Sequence, residues 1–463
     1  MRVQPLSRQQ YRPIGLVAPD AAWVTGEWPG SSWEDVPKGA KLYVLRKSHL
    51  FKVVQGGEGR IRLWRGKVTG FELRGHRICN LRGAVAGEEP FEILREWAEW
   101  IRANGANVGS PAGSGYSLWR STLPNDFVTW GDVPAPGSYM TGGRQGEIER
   151  NACYEDCDLW DISSAYAHAL GTLKVPTVWR HHARGPKDVT DEDSGYARAG
   201  IYVPPMVWGP LPFRERGYNS FPTDGVFTGT FSFDELRAAS AAGCDYTILD
   251  AWTARSHRMS FLPWWEIVKA GRAELSPEAA VLVKLSANSL WGRFMSEGVA
   301  EWWRFQGHEL IVEEEKYHAQ PTAPALSGLV SARIRARLFT EALNAVPVIS
   351  CHTDGVITPR GEHITPNTGA PGRWRIKDQA RTLDMISAQS FRFTRADGSV
   401  EYHVAGIHDP IARERYFRQA ITGFRSDKAW EVPDATPIHF PLRKAQSPPV
   451  TTRLREGSAQ LTS

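Results

Sequence analysis

The chain has 463 residues, 41% of them hydrophobic, and its 55 Lys and Arg against 51 Asp and Glu give a formal net charge of +4. That length and apolar content supply a buried core, allow about two to four domains and exclude a disordered chain. The five cysteines are odd in number and scattered, which excludes a disulfide framework and fits a reducing compartment; without a membrane-length apolar run or a signal-peptide core, the expected location is cytoplasmic, with no membrane partner.

The mild basic excess permits nucleic acid as a partner without requiring it. Residues 1–87 read as an irregular β-rich unit. Leu42 to Leu45, Leu50 to Val54, Arg60 to Trp64 and Val68 to Leu73 are short, partly alternating runs split by Gly-rich turns. Basic residues are dense from Arg46 to Arg82; such a run is usually a solvated face, although interleaved aromatics also suit a grip on nucleic acid. From Glu88 to Asn104 the spacing of Phe91, Leu94, Trp97, Ala98 and Ile101 predicts a helix, stopped at Asn104-Gly105. A loop-rich stretch then runs through Pro134-Ala135-Pro136-Gly137 to Thr141-Gly142-Gly143-Arg144. Paired glycines beside an arginine make either a plain turn or a backbone that approaches a polyanion closely. Cys153 and Cys157 amount to half a zinc site at most, because no second Cys or His pair at finger-like spacing accompanies them.

Leu159-Trp160 leads into Asp161-Ile162-Ser163-Ser164-Ala165-Tyr166-Ala167-His168, an order that suits a buried strand ending in an acid, then a turn and a helix start. Taken alone, Asp161 reads as a helix N-cap more readily than as a metal ligand. Strands are predicted at Gly200 to Gly209, Gly225 to Phe233 and Tyr246 to Trp252, with a helix from Ser232 to Ala242 capped by Ser232 and Glu235. Helices follow from Leu262 to Gly271 and from Ser276, where Ser276-Pro277-Glu278 is a cap, a proline and an acid in sequence. The second helix sets Lys284 and Asn288 one turn apart on one face, with Val281, Leu282 and Leu285 assigned to the core. Ala300 to Glu315 reads as a β-hairpin and Ser327 to Leu343 as a helix. Pro347 to Cys351, His352-Thr353-Asp354-Gly355 and Val356 to Thr358 then read as two apolar strands whose turn presents Asp354.

Two carboxylates from distant parts of a chain, each at a strand end, are what two-metal phosphoryl transfer requires, with ions about 4 Å apart activating a hydroxyl and neutralising the leaving pyrophosphate. At this point the sequence resembles the family-B DNA polymerases, most closely their protein-primed phage branch. Asp161-Ile162-Ser163-Ser164-Ala165-Tyr166 is similar to that family's first palm motif, and Cys351-His352-Thr353-Asp354-Gly355 to its palm hairpin Asp-Thr-Asp-Ser. Lys284-Leu285-Ser286-Ala287-Asn288-Ser289-Leu290-Trp291-Gly292 resembles the fingers motif. Thr141-Gly142-Gly143-Arg144 resembles the Tyr-x-Gly-Gly loop, and Tyr402 to Ile407 with Phe417 to Phe424 resemble a small thumb.

The resemblance implies an α+β right-hand architecture: a β-rich N-terminal domain (1–87), a palm part with the Gly-Gly loop and first carboxylate (88–212), a palm insertion (213–260), fingers (261–298), a β-hairpin insertion (299–320), palm with the second carboxylate (321–400), and thumb with tail (401–463). It implies two Mg²⁺ ions, replaceable by Mn²⁺, held by Asp161, Asp354 and the Ile162 carbonyl. Tyr166 would act as the sugar gate, Lys284 and Arg272 as phosphate ligands, and Asn288, Ser289 and Trp291 as the lining of the nascent base pair. Gly142, Gly143, Arg144, Gln389 and Phe391 would contact DNA. The implied partners are primer-template or single-stranded DNA, deoxynucleoside triphosphates, and a terminal or priming protein as a further candidate; a phage-encoded chain would work in host cytoplasm.

The departures from the pattern fall on charge. His352 replaces the first Asp of the palm hairpin, Gly355 its Ser, and Gln389-Ser390-Phe391 stands where a Lys-x-Tyr primer grip is expected. Met140 replaces the Tyr of the Gly-Gly loop, and Trp291 a fingers Tyr. No Asp-x-Glu precedes Glu88 and Trp33-Glu34-Asp35 is a poor substitute, so 3′–5′ proofreading is not expected. The expected activity is therefore a reduced DNA polymerase, template-dependent or not. The competing expectation is a catalytically silent relative that binds nucleic acid or acts as a scaffold.

Overall fold

The computed structural model describes residues 12–425 apart from 19–20, 23, 46–49, 51–52, 55–57, 65–66, 82–88, 124–141, 177–178, 184–193, 216–217, 254–257, 295–296, 307–308, 319–322, 366–367, 405–406 and 408–409. Met140 and Thr141 of the Gly-Gly loop and Ala405-Gly406 of the thumb motif thus lie outside the described residues. The chain divides into two units, one drawn from 1–130, 170–172 and 260–327, the other from 131–169, 173–259 and 328–463.

The first unit is built on an eight-stranded sheet in the order Glu309–His318, Glu297–Gln306, Arg60–Trp64, Lys67–Leu73, His76–Asn80, Lys41–Val44, Ile14–Val17, Val24–Gly26. The hairpin predicted at Ala300 to Glu315 is therefore present and extends this sheet: Ala300 to Trp303 pair antiparallel with Trp64 to Ile61. This changes the meaning of the basic run. Arg60 bonds Glu72 at 3.1 Å and Glu313 at 3.2 Å, Arg62 bonds Glu315 at 3.3 Å, and the Arg60 guanidinium lies 4.4 Å from the centre of the buried Trp302 ring. Much of the positive charge near these strands is thus matched by acids within the same sheet. Glu34 and Asp35 lie in a 3₁₀ turn, where Asp35 accepts from the Ser32 amide at 3.0 Å and hydroxyl at 2.8 Å, a local cap.

Two expectations are corrected in this unit. Leu50, Val53 and Val54 are helical instead of extended, which fits the near-complete burial of Leu50 and Val54 at four-residue spacing. The stretch after Asn104 is not all loop, because Pro111–Ser121 is a helix capped by the Ser110 hydroxyl and opened by Pro111. Its two glycines disguise it, and Gly115 has a packing reason: a Cβ there would lie 2.3 Å from the Ser286 carbonyl oxygen of the helix Pro277–Arg293. Alanine is favoured over glycine by about 1 kcal/mol in a free helix, whereas forcing a methyl against backbone costs about 1–3 kcal/mol. Gly115→Ala is therefore expected to lower stability in urea unfolding, and equal or greater stability would refute the close approach.

Leu262–Glu274 and Pro277–Arg293 form the expected helical pair, the second capped by the Ser276 hydroxyl on the Ala279 amide at 3.3 Å. Its buried face is Ala279, Leu282, Val283, Ser286, Ala287 and Leu290. Val281, assigned to the core from the sequence, is 43% exposed. It lies on the same helical stripe as the exposed Lys284.

The second unit holds an antiparallel seven-stranded sheet in the order Val400–Val404, Ser390–Thr394, Trp374–Ser387, Ala152–Ile162, Gly355–Pro359, Ser350–Thr353, Arg144–Glu147. Cys157, Leu159, Ile357, Ala380, Leu383, Phe391 and Phe393 bury one of its faces. A four-stranded sheet, Arg180–Ala183, Asp245–Thr253, Gly195–Val203 and Gly225–Ser232, carries the helix Phe233–Ala241, and both halves of the Ser232/Glu235 capping box are formed. The strand predicted from Gly200 to Gly209 instead runs Gly195–Val203 and stops at Pro204-Pro205, which lack ladder donors. The helix Pro324–Leu338 continues as a π-helical turn, Phe339–Leu343. After Val404 the helix Pro410–Arg425 follows, with Phe417 buried and its ring 5.7 Å from that of Tyr402.

Candidate active site

The strand Ala152–Ile162 lies in the middle of the seven-stranded sheet and delivers Asp161 to its end. Register sets Gly355 opposite Asp161 on one side and Arg375 opposite it on the other. The hairpin tip is tied to the same strand by the Ile162 amide, which donates to the Asp354 carbonyl at 2.9 Å. The two carboxylates predicted from the sequence are thus brought to one sheet end although 193 positions separate them. Thr353 adopts φ +61, a conformation uncommon outside glycine, and its hydroxyl donates to Asp354 Oδ1 at 2.8 Å. Burial raises the Asp354 carboxyl above its ordinary range; the Thr353 hydrogen bond opposes this and the Asp161 charge adds to it.

Gly355 has a steric reason as well. A Cβ there would meet the Trp160 carbonyl at 2.6 Å, so the serine expected from the resemblance does not fit this strand spacing. Behind Asp161, Ser164 takes φ +53 and starts the helix Ala165–Thr172, which carries Tyr166. Burial raises the Tyr166 hydroxyl well above its usual pKa, and Asp354 adds to the shift. Gly143 fits between these pieces: a Cβ there would be 3.0 Å from the Tyr166 hydroxyl and 3.1 Å from Thr353 Cα. The Gly-Gly loop, the tyrosine and the hairpin therefore meet at one place.

Arg144 is placed otherwise than expected of a polyanion contact. It is 1% exposed, donates to the Gly209 carbonyl at 2.6 Å and lies 4.3 Å from the centre of the Phe221 ring; burial lowers its pKa to about 10. Its guanidinium is an interior cation, and the correction follows from apolar neighbours supplied by a segment about 65 residues away. Gly142 is held through its carbonyl, which accepts from the buried Arg335. Gln389 bonds Gln145, which lies 3.4 Å from His352 Nε2, and Phe391 stacks at 4.7 Å on His403. His352 and His403 rings are 5.4 Å apart, and burial, then His352, pushes the His403 pKa down to about 4. The residue in place of an acid thus sits among neutral amides and rings.

Arg375 is the site residue that sequence reasoning missed. Its Nε and Nη2 donate to Asp161 Oδ1 and Oδ2 at 2.7 and 3.2 Å. The only sequence signal was a strand carrying Arg375 and Lys377 at alternate positions. In the other unit, Arg272 lies in the last turn of its helix, Lys284 is exposed, and Asn288, Ser289 and Trp291 are half-buried. Among the described residues the Asn288 Oδ1 is buried without a hydrogen-bond partner, and the Trp291 carbonyl accepts from Ser327 at 3.0 Å.

Among the described residues no group of three or more His, Cys, Asp or Glu is arranged to hold a metal. Asp161 and Asp354 nonetheless supply carboxylate oxygens, and Mg²⁺ is commonly held by one or two carboxylates together with substrate phosphates. The residues present fit such an ion. Among the described residues no helix is long and apolar enough to cross a membrane.

No protein-family model matches the chain, and comparison with curated proteins finds no match. Solved structures do match. Phi29 DNA polymerase complexed with primer-template DNA and incoming nucleotide substrates is 12% identical, with 87% of this chain and 93% of that one covered and a TM-score of 0.62. The same polymerase complexed with single-stranded DNA is 13% identical over 70% of this chain and 65% of that one, with a TM-score of 0.53. In its orthorhombic crystal form it is 13% identical over 67% of this chain at a TM-score of 0.53, and the chain spans 62% of that polymerase's length. At such identities the likeness establishes a DNA-polymerase-like fold.

Proposed function

We propose that the chain is a deoxynucleotidyltransferase of DNA polymerase type, adding nucleoside monophosphates to a 3′-hydroxyl or a protein hydroxyl, without 3′–5′ proofreading. The observation that carries this reading is the convergence of Asp161, Asp354 and Tyr166 at one end of the central sheet, with Gly143 against the tyrosine. Asp161 and Asp354, with the Ile162 carbonyl, would hold two Mg²⁺ or Mn²⁺ ions, which supply Lewis-acid stabilisation of the phosphoryl oxygens when bound. In the reaction a hydroxyl oxygen attacks the α-phosphorus, the bond to pyrophosphate breaks, and the hydroxyl proton is released. Tyr166 forms the floor under the incoming sugar. Lys284 and Arg272 attract the triphosphate and the amide of Asn288 lines the base pocket, with Ser289 and Trp291 beside it. Gly142, Gly143 and Gln389 guide the DNA strand; Phe391, expected to contact DNA, is instead buried in the core of the sheet. A terminal or priming protein is the candidate supplier of a protein hydroxyl.

Primer extension with labelled deoxynucleoside triphosphates and Mg²⁺ or Mn²⁺, run with primed template, single strand and no DNA, tests the reading. Incorporation is expected, and its absence in every arm would sink the enzyme assignment. Two observations favour a second reading, a silent DNA-binding relative: His352 stands in place of an acid, and Arg375 already neutralises Asp161.

A further inference from the structure

Asp161 already holds a cation of the chain's own. Both of its oxygens accept from Arg375, at 2.7 and 3.2 Å, in the parallel two-point geometry that makes arginine–carboxylate pairs strong. The contact follows from backbone register, since Arg375 is the cross-strand partner of Asp161 in a ladder running from Trp374↔Ile162 to Met385↔Ala152. Just past it the register shifts between Ile376 and Asp378, leaving Lys377 as the extra residue of a bulge. Asp161 therefore has a cation assigned to it by the neighbouring strand, while His352 stands where the resemblance expects a further carboxylate. The Arg375 side chain is 45% exposed and that of Asp161 23%, so the pair sits where the guanidinium can leave toward solvent without opening the core.

Resting on the reading of Asp161 as a metal ligand, we propose that Arg375 is a built-in competitor for the divalent ion, a resident cation that must be displaced from Asp161 before a metal can take its oxygens. The energetics suit displacement. A partly exposed ion pair contributes about 1 kcal/mol or less, enough to weaken metal binding severalfold and too little to forbid it. A buried pair of the same geometry would hold the site shut. The exposed guanidinium thus sets a threshold of metal concentration.

The test is Mn²⁺ binding to the full chain, followed by the loss of the free-ion electron paramagnetic resonance signal, with no turnover involved. Arg375→Gln is expected to tighten binding about fivefold and Arg375→Lys, which cannot span both oxygens, by less. In an Asp161→Asn background the Arg375→Gln change is expected to have no effect. Melting curves check that each variant is folded, and Arg375→Lys preserves the strand and charge should the glutamine variant unfold. Unchanged or weaker Mn²⁺ binding by both Arg375 variants, with Asp161→Asn still losing the ion, would overturn the competitor role and leave the metal site standing. Mn²⁺ bound by Asp161→Asn as tightly as by the unaltered protein would overturn the metal site and the competitor together.

Discussion

Asp354→Asn is expected to reduce nucleotide incorporation by about a thousandfold or more while leaving the protein as stable as before, or more so. The first half follows from the proposed chemistry: a lost anionic metal ligand removes several kcal/mol of charge stabilisation in the transition state, and about 1.4 kcal/mol is tenfold in rate. The second half follows from the surroundings. Burial, supplemented by Asp161, raises the folded-state pKa of Asp354 above its unfolded value. A carboxyl raised in this way contributes stability below its unfolded pKa, and that contribution is lost as pH rises through the raised folded value. At neutral pH its ionised form is therefore a stability cost, which asparagine removes. The asparagine Oδ1 still accepts from Thr353, so the hydrogen bond now 2.8 Å long survives. Primer extension and thermal melting at pH 7 give the two readings. Full activity would exclude Asp354 from the chemistry, and a large fall in melting temperature would show that the carboxylate supports the hairpin.

The reason so much of this site could be read from the residues is that its main parts are local. Asp161 before Ser163-Ser164 and Asp354 between two apolar runs each announce a strand end, and Ser276-Pro277-Glu278 announces a helix start through side chains adjacent to the backbone they cap. What stayed hidden depends on pairings across long separations. Arg375 meets Asp161 only because two strands 214 residues apart share one register, and a slip of one residue would turn it to the other face. Arg144 looked like a surface cation beside paired glycines; Trp208 and Phe221, distant in sequence, enclose it. The helix Pro111–Ser121 was hidden by two glycines, and the use of one of them, Gly115, appears only beside Ser286. Gly355 looked like a lost serine, whereas the Trp160 carbonyl leaves no room for a side chain. The charge departures around the palm hairpin are legible one by one in the sequence, but only the fold gathers His352, Gln145, Gln389 and His403 into one cluster.

Removing the Arg335 guanidinium is expected to have the largest effect on stability. Arg335 and Glu235 are 1% and 2% exposed, and Arg335 Nε and Nη2 both donate to Glu235 Oε1 at 2.8 Å. Glu235 Oε2 meanwhile closes the helix cap by accepting from the Ser232 amide and hydroxyl, each at 3.1 Å. Arg335→Met fills most of the volume but leaves an ionised Glu235 buried with only its cap donors, a situation that costs about 3–5 kcal/mol. The same change releases the Gly142 carbonyl that Arg335 holds, so the glycine loop beside Tyr166 loses its anchor. Stability should recover when Glu235→Gln is added, because the stranded charge is gone, whereas the loop stays unanchored in the double variant. Urea unfolding of the single and double variants separates these effects, and, under the proposed function, DNA binding by the double variant reports on the loop. A single variant within about 1 kcal/mol of the unaltered protein would mean that water reaches Glu235 in place of the guanidinium. Recovery of stability without recovery of DNA binding is the expected result, since the charge pair supports the fold while its second arm positions the loop.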